Sequence, residues 1–264
     1  MLVNGVAASQ VAALDRGLQY GDGLFETVRC EQGRLRWFDR HLARLAAGCE
    51  RLALAMPDAD LLRAEAIEVA GDAPRSLVKI IVTRGEARAR GYRPRGDERP
   101  TRIVSAHSWP AASDQPFRLG LSAMTLGVNP HLAGIKHLNR LEQVLAQREI
   151  ASDLDEVLMR SEPGEVICGS MSNLFLCQGG EWLTPDLSGC GVSGIMRGLV
   201  LELAPRLGLV VRVAPVSIAQ LSAARAIIVT NVRVGLQPVH WYEGRRLEVD
   251  ERRAPLQELI DGTP

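Results

Sequence analysis

No apolar run in this chain approaches the roughly 18 residues that a membrane-spanning helix needs. The hydrophobic residues come instead in runs of strand length, cut by glycine, proline and polar turns. LFETVRC (24–30) and LRWF (35–38) flank a turn at Gly33 and read as strands. Asp39 then makes a good N-cap for a helix with Leu42, Leu45, Cys49 and Leu52 on one stripe. A second helical segment covers roughly 58–70, and SLVKIIVTR (76–84) and TRIVSAH (101–107) follow as strands. This first part reads as an α+β domain with an at least partly antiparallel sheet.

SWPAASDQP (108–116) combines two prolines with small and polar residues and is the expected linker. It separates an N-terminal α+β domain, 1–107, from a C-terminal domain, 117–264. In the latter FRLGLSAM, DEVLMR, EVICG, NLFLCQ, LVVRVA, AIIVTN and LQPVHWY read as strands and GIMRGLVLELAPRLG as a helix, a mixed and β-rich pattern. The class is α/β. At 264 residues and 46% hydrophobic content the chain can fill two cores, since a domain takes about 100–200 residues.

Acids and bases balance at 31 each, so no overall field attracts nucleic acid or an anionic membrane, and a small-molecule partner is expected. The five cysteines are odd in number and form no CxxC pair, which argues against a disulfide framework and a zinc knuckle. The histidines lack HExxH-type spacing, so no metal site is expected. The N-terminus has no charged start followed by a long apolar core, and a cytoplasmic location is expected.

Only two of the 31 basic residues are lysines, Lys79 and Lys136. Arginine cannot be deprotonated in a protein, whereas lysine can lose its proton and attack a carbonyl to form a Schiff base. Lys136 is therefore a candidate nucleophile, against the plainer alternative of a chance survivor of arginine-rich codon usage. Lys79 sits inside SLVKIIV, where period-2 alternation turns it to the solvent face of a strand as a structural residue. Gly134 allows close backbone approach near Lys136, and Leu138, Leu141, Val144 and Leu145 are expected to begin a helix that anchors it.

NPHLAGIKHLNRLEQVL, with DRGLQYGDGLFETVR, HLARL, TRGEARARGY, SNLF and SGIMRG, resembles the fold-type IV pyridoxal-phosphate enzymes and, within them, the aminodeoxychorismate lyases of folate biosynthesis. DRG, GDGLFET and HxxRL are shared with the D-amino-acid and branched-chain transaminases of that fold. The resemblance implies a two-domain homodimer in which Lys136 holds pyridoxal phosphate and then acts as the base. It implies that Arg44 binds the cofactor phosphate, a role a guanidinium suits, although HLARL alone would read as a solvated helix face. GVSGIMRG would add backbone N–H groups of Ile195 and Met196 at a helix start, and Asn231 and Val232 would lie near the phosphate. Thr27 would stand close to the lysine and orient or relay a proton. Arg84, Arg88, Arg90 and Tyr92 of the TRGEARARGY loop could clamp substrate carboxylates, or form an exposed basic hairpin tip; His131 and Arg140 flank the lysine as further substrate candidates.

One departure stands out. Where the family has an acid to protonate the pyridine nitrogen, this chain has Cys168, a weak donor with reference pKa about 8.5. Glu165, three residues away on the same strand, faces the other side. The ring would then work unprotonated with product aromatisation as driving force, or pair with a Cys168 thiolate, or the protein is an impaired homologue. The resemblance implies conversion of 4-amino-4-deoxychorismate to 4-aminobenzoate and pyruvate. The competitors are a D-amino-acid or branched-chain transaminase and a cofactor-binding homologue without turnover.

Overall fold

Residues 24, 26, 28 and 30 are buried and 25, 27 and 29 half-buried, as the alternation of LFETVRC demands. The computed structural model describes residues 1–87, 90–109, 115–150 and 152–264. The chain clusters into two units, Met1–Ala111 with Ile135–Asn139, and Ala112–Gly134 with Arg140–Pro264. Ile135–Asn139, which a division at the proline-rich linker assigns to the second domain, thus groups with the first; linker residues 110–114 lie outside the described residues.

The first unit holds β1 (Leu2–Val3), β2 (Val6–Ala7), α1 (Arg16–Tyr20), β3 (Gly23–Glu31), β4 (Arg34–Leu35), α2 (Phe38–Arg51), α3 (Ala59–Ala70), β5 (Arg75–Thr83) and β6 (Thr101–Ser108). Its strands form one sheet in the order β2-β1-β6-β5-β3-β4, every neighbouring pair antiparallel. Helix α2 packs on β3 and α3 on β5 and β6, so Leu24, Val28, Val78, Ile80, Val82 and Val104 are closed off. Each such side chain contributes about 1.5–3 kcal/mol by leaving water.

LRWF does not continue as a strand. Trp37 takes φ 52°, in the left-handed region, and turns the chain into α2, so Asp39 lies in the first helical turn instead of capping it. The buried stripe is Phe38, His41, Leu45, Gly48 and Cys49, with a histidine where the pattern predicts Leu42. The second helix matches its expected span, with Asp58 accepting from the Leu61 N–H at 2.9 Å.

The second unit holds β7 (Arg118–Leu126), α4 (Leu141–Gln147), β8 (Glu156–Ser161), β9 (Val166–Gly169), β10 (Asn173–Gln178), β11 (Glu181–Thr184), α5 (Ile195–Leu203), β12 (Val211–Val213), α6 (Ile218–Ala223), β13 (Ala226–Asn231), β14 (Gly235–Pro238), β15 (Trp241–Tyr242), β16 (Arg245–Arg246) and α7 (Arg253–Asp261). One sheet runs β12-β11-β10-β13-β14 and another β16-β15-β7-β8-β9, both with parallel and antiparallel pairs. Leu119, Leu158, Leu174, Leu176, Ile227 and Val229 share one core. Among the described residues no helix is long and apolar enough to cross a membrane, and no cluster of His, Cys, Asp and Glu is placed to hold a metal ion.

Candidate active site

The backbone around Lys136 is fixed by a strand of the first unit. The Phe25 N–H donates to the Lys136 carbonyl at 2.9 Å and the Leu138 N–H to the Gly23 carbonyl at 3.0 Å, with Leu24 and His137 as an antiparallel bridge. The expected helical anchor is therefore replaced by main-chain pairing. Helix α4 begins only at Leu141, and Leu141, Val144 and Leu145 are exposed. Just ahead of this segment Gly134 adopts φ 82° while its N–H donates to the Gly191 carbonyl and its own carbonyl accepts from Ser193.

The half-buried Lys136 places Nζ 4.4 Å from the centre of the Phe25 ring. Lys79 does not simply reach into solvent. Half-buried, it lies opposite Thr27 in register, and its Nζ stands 5.4 Å from the same ring. Phe25 and Thr27 share one face of β3 by the period of two. The chain's two lysines thus flank one aromatic side chain.

On the other face of β3, Glu26 is 1% exposed and is gripped by two residues of α2. Its Oε1 accepts from Arg44 Nε at 2.8 Å, and its Oε2 accepts from Arg44 Nη2 at 2.5 Å and pairs with His41 Nδ1 at 2.6 Å. Burial alone would raise the carboxyl, but the Arg44 charge and the hydrogen bonds from Arg44 and His41 outweigh it and hold Glu26 at about 2. Burial pushes the His41 imidazole down despite the pull of Glu26, so it stays neutral and donates through Nδ1. His41 Nε2 is buried without a hydrogen-bond partner.

Asp22 forms a second buried junction. It accepts from Arg16 Nε at 2.8 Å and from Arg84 Nε at 2.8 Å and Nη2 at 3.1 Å. Its hydrogen bonds from Arg84 and Arg16 outweigh the cost of burial and keep its carboxyl low. Arg84 also donates to the Leu52 and Ala53 carbonyls at 2.7 Å each. These contacts make Arg84, an expected substrate residue, also a clamp on the end of α2. Arg16 reaches the Tyr92 carbonyl at 2.7 Å and so ties the expected substrate loop to α1. Arg90 and the Tyr92 side chain are exposed, the tyrosine ring standing edge-on to Tyr20; Arg88 lies outside the described residues.

In the second unit, Cys168 on β9 sits opposite Met159 and is buried. Burial, with the neighbouring Cys190 and Glu156 adding, pushes its thiol up to about 12, so in the absence of a cationic partner it is protonated near neutral pH. Glu165 is exposed, but it lies just before β9 and not on the same strand as Cys168. The acid beside Cys168 is Glu156 on β8, which accepts from Ser170 N at 3.1 Å, Met171 N at 3.2 Å, Ser172 Oγ at 3.2 Å and the Ser170 hydroxyl. It staples the turn between β9 and β10.

Asn173 holds the glycine turn before α5: its Nδ2 donates to the Val192 carbonyl at 2.9 Å and its Oδ1 accepts from the Gly194 N–H at 3.1 Å. A Cβ at Gly194 would collide with that Oδ1. Ile195 and Met196 open the helix, where N–H groups lack intrahelical acceptors. Asn231 closes β13, its Oδ1 accepting from the Arg233 and Val234 N–H groups at 2.9 and 3.1 Å and its Nδ2 reaching the Met171 carbonyl, with the half-buried Val232 beside it. His131 is exposed and Arg140 half-buried at the start of α4. Glu26, His41, Arg16, Asp22, Glu156 and Asn173 were not singled out by sequence; for Glu26 the signal was present, since it shares parity with the buried Leu24, Val28 and Cys30.

A family model described as amino-transferase class IV matches residues 23–242. An aminodeoxychorismate lyase of Vibrio harveyi is 33% identical over 265 residues, 98% of this chain and 97% of that protein. The crystal structure of 4-amino-4-deoxychorismate lyase from Pseudomonas aeruginosa matches with a TM-score of 0.92 at 40% identity, covering 98% of this chain and 97% of that one. A branched-chain amino acid aminotransferase of Escherichia coli shares the fold, with a TM-score of 0.86 at 19% identity over 98% of this chain and 92% of that one. The alternation that built the sheets, the lysine clipped to β3 and these matches together make this chain a member of the class IV amino-transferase family, with its fold-type IV architecture.

Proposed function

We propose that this chain is a pyridoxal-phosphate-dependent lyase that converts 4-amino-4-deoxychorismate to 4-aminobenzoate and pyruvate, a step of folate biosynthesis. The observation that carries the reading is Lys136, a half-buried amine on a backbone fixed by β3. The near-full-length likeness to proteins named for that lyase supports it.

The chain's groups suit the cofactor. Lys136 would hold it through its amine, and Arg44 would take its phosphate. The resemblance would also give a phosphate-binding role to the N–H groups of Ile195 and Met196, at the positive end of α5 after the Gly194 turn, and to Asn231 and Val232. When bound, pyridoxal phosphate supplies an aldehyde carbon and a ring that draws electrons from the substrate's amine-bearing carbon.

Lys136, as the neutral amine, removes the proton from that carbon, and the enolpyruvyl C–O bond breaks as the substrate ring becomes aromatic. Thr27, on the Phe25 face of β3, orients or relays this proton. Cys168 would meet the pyridine nitrogen as a protonated thiol, a weak donor, so aromatisation carries most of the driving force. Arg90 and Tyr92, with His131 and Arg140, are the proposed carboxylate-binding groups. Pyruvate release from aminodeoxychorismate, measured beside amino transfer to 2-oxo acids, tests the reading. Transfer without release would make the protein a D-amino-acid or branched-chain transaminase. Neither activity, with lyase turnover gained by Cys168→Glu, would make it an impaired homologue.

We further read the protein as a cytoplasmic homodimer. Its five cysteines are free and buried, as suits a reducing compartment, and Leu141, Val144 and Leu145 form an exposed apolar stripe on α4 that a second copy would cover. Light scattering during gel filtration tests the dimer.

A further inference from the structure

Arg44 is held by a residue outside its own helix. Its guanidinium is gripped along the Nε–Nη2 edge by Glu26, and a planar guanidinium gripped on that edge turns Nη1 away from the carboxylate. Glu26 in turn is fixed by its place on β3 and by His41, one helical turn before Arg44 on the same face of α2. The arrangement retains an otherwise costly atom, since His41 is 1% exposed and its Nε2 finds no partner. A leucine at 41 would satisfy the apolar stripe of α2 without that orphan, so the histidine is best explained by its bond to Glu26.

We infer that Glu26 and His41 are positioning residues that aim Arg44 at the phosphate of the cofactor. The inference rests on the assignment of Arg44 to that phosphate under the proposed function. Because β3 carries Glu26 on one face and Phe25 and Thr27 on the other, one rigid strand then registers the phosphate-binding arginine against the reactive lysine.

The test compares binding of pyridoxal phosphate with binding of pyridoxal, which lacks the phosphate, by equilibrium titration of the full chain and of Arg44→Gln, Glu26→Gln and His41→Leu. Glu26→Gln and Arg44→Gln should each weaken pyridoxal phosphate about tenfold or more while leaving pyridoxal unchanged, and His41→Leu should do so by about threefold. If Arg44→Gln shows the phosphate-selective loss and Glu26→Gln does not, the inference falls and the arginine assignment stands. If Arg44→Gln leaves pyridoxal phosphate binding intact, the assignment itself falls and takes the inference with it. Equal weakening of both ligands by Glu26→Gln would show a merely structural carboxylate and overturn the inference. Should Glu26→Gln fail to fold, His41→Leu, which leaves the ion pair in place, carries the same selectivity test; no selectivity there overturns the proposal.

Discussion

Replacing Lys79 by methionine should make Lys136 a weaker nucleophile at neutral pH. The two Nζ atoms lie 5.4 Å and 4.4 Å from the centre of the Phe25 ring, which caps their separation at about 9.8 Å. Two unit charges at that distance repel by about 0.4 kcal/mol in a water-like dielectric and about 1.7 kcal/mol at an effective value of about 20. The repulsion disfavours the charged form of Lys136, so removing it favours the ammonium. The midpoint of the pH dependence should move up by about 0.3–1.2 units. Only the neutral amine attacks an aldehyde, so the assay is the rate at which the full chain captures pyridoxal phosphate as a function of pH, in about 10 mM salt, where the Debye length is about 30 Å. Lys79→Arg keeps the charge and should leave the midpoint in place. A midpoint that stays put or falls in Lys79→Met would refute the electrostatic coupling.

Lys136→Ala should lose cofactor fixation by borohydride and lower pyruvate release by at least about 10²–10⁴-fold, the range for a lost acid–base group; fixation at another residue would count against its role. Glu26, lowered from an ordinary 4.5 to about 2, contributes stability that is present above pH 4.5 and lost as pH falls through 2, about 3 kcal/mol in all. Acid unfolding of Glu26→Gln should therefore lack this loss between those limits, as followed by circular dichroism. Cys168, at about 12, should react with a thiol reagent at pH 8 about 10³-fold more slowly in the native chain than after unfolding; rapid native labelling at that site would contradict the buried thiol.

The long strands were legible because each buries one face. The periods of LFETVRC, SLVKIIVTR and TRIVSAH agree with β3, β5 and β6 to within a residue or two at each end. Local pattern failed where backbone geometry or distant pairing decides. Trp37 turns the chain through a positive φ that a tryptophan gives no reason to expect, and Leu138, apolar and near a helix, bonds instead to a glycine 115 positions earlier in the chain. Lys136 stood out by its chemistry, since no arginine could replace it. Its electrostatic neighbour Lys79 did not, because alternation tells which face a side chain takes and not what else shares that face. The Glu26–His41–Arg44 junction joins a strand to a helix, and only its buried-parity glutamate left a trace in the sequence.

The clipping of Lys136 to β3 also bears on entropy. Ordering one residue's backbone costs about 1–2 kcal/mol at room temperature, and the hydrogen bonds from Phe25 and Leu138 bring that cost forward into folding. Under the proposed function, Lys136 would then exchange covalent partners by moving only its side-chain torsions, with no loop to reorder. Slow amide hydrogen exchange at Phe25 and Leu138, the same with and without cofactor, would be the signature of a reaction cycle run from a stationary main chain.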